Sequence, residues 1–162
     1  MASALAAGRR LFHGSSHLWL RATKESSSSR YPWLVEIGFS PRGLADIGDV
    51  TALAPVKSDG FAQAGDKLAT IDWDAHTITS ADELYHTVWE TFSEQTLIRA
   101  PISGVVDGVK ELNPLLEELD EETVVVRMKT DDGSIQQDAS GLMEEQEYDD
   151  MVARLPQGKF LA

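Results

Sequence analysis

The chain has 162 residues, 42% hydrophobic and 25% charged, an ordinary globular balance in a length that suits one domain with a real core. It holds no cysteine, which excludes disulfide frameworks, thiolate metal sites and cysteine nucleophiles. The formal net charge of −13, from 27 Asp plus Glu against 14 Lys plus Arg, repels nucleic-acid phosphates and suits a protein partner with a basic docking surface.

In chain order, residues 1–15 contain Arg9 and Arg10 and no acid, and run into Arg10-Leu11-Phe12-His13-Gly14-Ser15-Ser16, the form of an Arg-x-Phe processing site. They predict a mitochondrial targeting segment and a matrix location, with the domain proper over 16–162. His17 to Arg21 alternates polar with large apolar residues and predicts a strand. The polar run Thr23 to Ser29 predicts an exposed hairpin loop, and Tyr31 to Phe39 a second strand with Pro32 at its start. Ser40-Pro41 opens a short helix, a serine cap followed by proline at the first helical position, and Gly48 is expected to end it. Val50 to Leu53 reads as a strand, Pro55 to Gly65 as a turn-rich connector, and Lys67 to Trp73 as another strand.

From Thr79 the period turns helical. Ser80 and Glu83 form a capping box, and Ala81, Leu84, Tyr85, Val88, Trp89 and Phe92 recur at helical spacing, so a helix is expected over about 81–93. Thr96 to Ala100, Gly104 to Val109 and Thr123 to Met128 are strand candidates, with a tight turn at Pro101 to Gly104. After the acidic turn Asp131-Asp132-Gly133, an amphipathic C-terminal helix is expected over 141–155, from Leu142, Met143, Tyr148, Val152 and Leu155. Many short strands with helices at the periphery indicate a mainly β fold, a small antiparallel sandwich or barrel. No apolar run approaches the ~20 residues needed to cross a bilayer.

The order of segments resembles the H protein of the glycine cleavage system. Ser16-His17-Leu18-Trp19-Leu20-Arg21 is similar to that family's opening strand, and Ile37-Gly38-Phe39-Ser40 with Leu44-Ala45-Asp46-Ile47-Gly48-Asp49-Val50 to its Ile-Gly-Ile-Thr and Leu-Gly-Asp-Ile block. Ala64-Gly65, Pro101-Ile102-Ser103-Gly104-Val105-Val106, Val124 to Lys129 and Leu142 to Tyr148 follow in the family's order, so that the resemblance spans about 16–155. It implies a lipoyl-type barrel-sandwich hybrid of short antiparallel strands, with a short helix in the N-terminal half, the inserted helix and the C-terminal helix. It also implies a carrier role in glycine decarboxylation, with lipoate held on a lysine at a hairpin tip.

That lysine is missing. Counting on from Ala64-Gly65, Ala75 stands at its position, and an insertion over about 74–95 follows. Lipoate is attached as an amide of a lysine amine, and no lysine lies between Lys67 and Lys110, so no lipoyl cofactor is expected on the tip. Lys57 and Lys67 sit in the connector and at the entry to the next strand. Met128-Lys129 ends a strand rather than topping a hairpin.

The insertion is acidic and aromatic, and Trp73, Tyr85, Trp89 and Phe92 are the candidate partner-binding residues. The competing expectation is that its apolar stripe docks on the protein's own barrel, since a helix of about 12 residues is marginal alone. His76 and His86, near Asp72, Asp74, Asp82 and Glu90, match no defined metal-ligand spacing. No nucleophile elbow, P-loop or dinucleotide motif occurs, and no enzymatic activity is expected. The leading expectation is a non-lipoylated mitochondrial binding or structural module. Its rivals are a working carrier on an atypical lysine and a non-catalytic regulator that docks to glycine cleavage enzymes.

Overall fold

Strands whose alternate residues are both apolar can be covered on two sides, and the N-terminal strands here are of that kind. In a computed structural model, which describes residues 9–25, 30–81, 87–112 and 118–156, the chain runs β1 (Arg10–His13), β2 (Leu18–Lys24), β3 (Trp33–Phe39), α1 (Pro41–Ala45), β4 (Asp49–Pro55), β5 (Gly60–Ala62), β6 (Lys67–Ala81), β7 (Thr87–Arg99), β8 (Gly104–Val109), β9 (Val126–Thr130), α2 (Asp132–Ala139), β10 (Met143–Glu144) and α3 (Glu145–Val152). Seven strands form one sheet in the order β10-β1-β2-β3-β9-β8-β5, and β4-β6-β7 form a second. Every pairing is antiparallel. The fold is mainly β, as expected.

The main core lies between the sheets. It joins Leu20, Val35, Ile37 and Met128 of the larger sheet to Leu53, Ile71, Trp73 and Ile98 of the smaller. Leu11, Leu18 and Leu20 point into it, whereas Phe12 and Trp19, one residue out of phase, point the other way and meet Tyr148 of α3 in a second cluster. Phe12 and Tyr148 stack with ring centroids 4.5 Å apart. Trp19 is completely buried, donates from Nε1 to the Glu121 carbonyl at 2.7 Å, and lies under the Arg10 guanidinium. Its ring covers Gly38, its cross-strand neighbour, where an added Cβ would come within 2.5 Å of the indole.

The helix cap at Ser40-Pro41 forms as expected: Ser40 Oγ accepts from Gly43 N–H, and proline occupies the first turn. The helix ends at Asp46, two residues before Gly48. Gly48 serves another purpose, since an added Cβ there would lie 2.2 Å from the Asp74 carbonyl oxygen.

The structure departs from the expectations at several points. The boundary placed at residue 16 falls inside the sheet, because Arg10–His13 is β1, with Leu11 and Phe12 buried and paired to β2 and β10. The acidic turn at Asp131 opens a helix, α2, capped by the Asp131 side chain on Ser134 N–H. The C-terminal helix is shorter than 141–155, preceded by the two-residue strand β10. The helix expected over about 81–93 is strand from Thr87 onward. Of the loop expected over Thr23 to Ser29, Thr23 and Lys24 belong to β2, while 26–29 lie outside the described residues.

Burying a large apolar side chain contributes roughly 1.5–3 kcal/mol, and β1 buries two, Leu11 and Phe12. Removal of residues 1–15 is therefore expected to lower unfolding free energy by several kcal/mol relative to removal of residues 1–8. Urea unfolding of the two truncations measures this, and equal midpoints would show β1 to be dispensable.

Candidate binding arm

The segment resembling the carrier hairpin is a long two-stranded arm. β6 and β7 pair from Lys67↔Arg99 to Ala81↔Thr87, while β4 accompanies β6 only as far as Asp74. Beyond Asp74 the hairpin continues as a ribbon for about 23 Å of strand length, at ~3.3 Å per residue. The helical period was misleading because Thr87, Val88, Thr91, Thr96 and Ile98 are β-branched and Trp89 and Phe92 aromatic, residues that fit a pleated surface equally well. Pairing with β6 gives this stretch backbone partners along its whole length, which outweighs a short helix of marginal stability.

Side chains pin the pairing on one face. Gln95 Nε2 donates to Asp72 Oδ1 at 2.9 Å, Ser93 Oγ donates to Asp74 Oδ1 at 2.6 Å, and His76 Nδ1 lies 2.9 Å from Thr91 Oγ1. Each is a directly opposed pair. His76 Nε2 also reaches Asp49 on β4 at 3.5 Å. A one-residue slip would break all three rungs and turn the apolar face outward.

The base of the arm is clasped by the two turns that flank it. Gly65 N–H donates to the Ala100 carbonyl and Ala100 N–H to the Asp66 carbonyl, at 2.7 and 2.8 Å. Ser103 joins three elements to this clasp: its Oγ accepts from Ala64 N–H, its N–H donates to Asp138 Oδ2 of α2, and its carbonyl accepts from the buried Thr130 hydroxyl.

Ala75 is not at a tip. It sits midway along β6, opposite Phe92, and is 2% exposed in the main core. Residues 82–86, which join the two strands, lie outside the described residues, and their sequence, Asp-Glu-Leu-Tyr-His, has no lysine. Lys67 stands at the foot of the arm opposite Arg99, Lys57 follows β4, and Lys129 lies within β9.

Of the four candidate partner residues, Trp73 and Phe92 are described with their side chains. Trp73 is core, 6% exposed, with Nε1 donating to Thr96 Oγ1 at 2.9 Å. Phe92 is half-buried against the same core. Trp89 is in β7 opposite Ile78; Tyr85 lies outside the described residues, as does His86. Among the described residues no three His, Asp or Glu side chains are grouped to hold a metal ion.

Sequence reasoning missed a partly buried polar chain that links the β1–β2 turn, the cap of α1 and α3. Ser40 Oγ, wholly buried, lies 2.6 Å from Tyr148 Oη, which lies 2.7 Å from His17 Nδ1. Ser40 Oγ also accepts from Gly43 N–H, so that the Gly43 amide, the two hydroxyls and the His17 ring nitrogen form one continuous chain of hydrogen bonds. Burial lowers the His17 pKa, with Arg42 and His13 acting in the same direction and Asp46 opposing; burial also lowers that of His13 and raises that of Tyr148. His17 adopts φ 56°, the left-handed position that closes the β1–β2 turn. The serine cap was legible in the sequence, but its tyrosine and histidine partners are joined to it only by folding.

No protein-family model and no curated protein matches the chain.

Two outcomes follow from this geometry. Ala75→Lys would place an ammonium opposite Phe92 in the core; it is expected to cost several kcal/mol, read as a large fall in urea midpoint. The histidines give the second. Their folded pKa values lie below the ordinary 6.5, so the unfolded chain binds more protons as pH falls past 6.5. The stability they contribute is complete above that value and is lost as pH falls through the lowered folded values. Melting temperature should therefore drop between about pH 7.5 and about pH 5, and less steeply in His17→Asn, since asparagine tolerates the left-handed backbone. An unchanged slope in that variant would remove His17 from the account.

Proposed function

We propose that the chain is a lipoyl-type domain related to the glycine cleavage H proteins that carries no lipoate. In this reading it serves as a non-enzymatic protein-binding module in the mitochondrial matrix, with the β6–β7 arm standing where the carrier tip would be. One observation carries the proposal: the position of the attachment lysine is a buried alanine in a hairpin that extends well past it and holds no lysine beyond Lys67 at its foot. A carrier needs an acylated tip that reaches several enzyme sites in turn. An arm held by side-chain rungs, with acids along both strands, suits one lasting contact with a partner instead.

The matrix location is compatible with β1 when a processing protease cuts before Arg10 and leaves Leu11 and Phe12 in the sheet. N-terminal sequencing of the mature protein is expected to find a start at or before Arg10.

Intact mass of the mitochondrial protein is expected to show no lipoyl increment of about 188 Da. An increment on any lysine would return the chain to the carriers. Replacing residues 76–91 by Asn-Gly joins Ala75 to Phe92 across a two-residue turn that suits directly opposed strand residues. The shortened chain is expected to keep its melting temperature within a few degrees and to lose its co-purifying partner. Retention of the same partner would sink the binding role of the arm.

A further inference from the structure

Resting on that binding reading, we propose that the free edge of β7 docks an extended, lysine- or arginine-rich polypeptide segment, which adds to the β4-β6-β7 sheet as a fourth strand.

β7 is the last strand of its sheet, and among the described residues nothing pairs with its outer side. Its 13 residues make it more than twice the usual strand length of about 5–6. An edge of that length presents a row of backbone donors and acceptors, and proteins normally blunt such edges with proline, lysine, bulges or a covering loop. β7 has no proline and no lysine, and both irregularities of the hairpin fall on β6, at Lys67/Ala69 and Ile78/Ser80. Among the described residues the edge carries no bulge of its own and no covering strand.

Charge selects the occupant. Residues 68–98 contain no lysine or arginine, and Glu90 and Glu94 stand exposed on β7 itself. A second copy would set these glutamates against their own kind, and like charges on neighbouring strands are destabilising. With −13 on each chain, self-pairing is opposed at long range as well. A basic strand meets the opposite situation: its backbone completes the ladder, and alternate cations lie beside Glu90 and Glu94.

The near end of the edge supplies a socket. A cleft of about 280 Å³ opens beside Thr96, Leu97 and Ile98, facing Leu18, Phe39 and Ile47, with Leu97 36% exposed at its rim. It accepts an apolar side chain at the end of the incoming strand. The partner is thus a β-forming segment, cationic at alternate positions, with an aliphatic residue at one end.

The probe is a synthetic peptide in which lysine alternates with valine and which ends in leucine; its control carries glutamate for lysine. With the full chain, the lysine peptide is expected to slow amide hydrogen exchange across residues 88–98, and the control to leave exchange unchanged. Glu90→Lys with Glu94→Lys should weaken binding by about tenfold or more, as should high salt. Because both glutamates are exposed, the variant's circular dichroism should match that of the parent. Protection elsewhere on the surface, equal binding of both peptides, no binding, or a dimer of the chain through β7 would each overturn strand addition. The shortened arm separates the two ideas. Loss of the cellular partner on shortening, without protection of β7 by the peptide, leaves the module standing and removes its strand-pairing mode; retention of that partner removes the module itself.

Discussion

The backbone of Gly48 lies against the Asp74 carbonyl at a distance that leaves no room for a side chain. Much of the architecture depends on this contact. It brings the end of α1 onto β6, sets β4 beside β6 from Asp49 onward, and so joins the two sheets around one core. It also marks where that support ends. Among the described residues no third strand accompanies the hairpin past Asp74, and its pairing there rests on β6 and β7 alone. Three polar rungs at positions 72, 74 and 76 stand at that transition, where β4 gives out.

Local signals in the sequence were reliable where the structure is decided locally. The Ser40-Pro41 cap and the β2–β3 hairpin form, and Pro101 to Ser103 is a bend that carries the chain from one sheet to the other. Gly48 was legible as special but for the wrong reason, since close approach and not a helix terminus requires it. β1 was hidden because a four-residue strand that follows Arg9 and opens on Arg10 has the composition of a leader; its identity depends on Leu20 and Glu144, partners elsewhere in the chain. β5 was lost in its turn-rich surroundings, and α2 because Ile135 is its only buried apolar residue among those described. The change of period after Thr79 was real, yet the same apolar residues serve a ladder once β6 lies beside them.

For the candidate site, chemistry was easier to read than placement. The missing lysine and the acidic, aromatic insertion are facts of the sequence. That Ala75 is enclosed, that Trp73 belongs to the core, and that the acids hang on a ribbon with a bare edge are products of pairing. Asp72 and Asp74 accept hydrogen bonds across the ribbon, whereas Glu90 and Glu94 remain exposed. The same kind of charge thus fastens the arm internally and guards its outer side.

The pairing of β1 with β10 sets an order of events for a growing chain. Leu11 waits for Glu144, and Phe12 and Trp19 wait for Tyr148, so the larger sheet is of high contact order and completes late. The β6–β7 hairpin closes through neighbours in sequence and can form early. A nascent chain therefore carries its acidic arm before its first strand is covered, and Phe12 and Trp19 stay available to chaperones until the final helix has emerged.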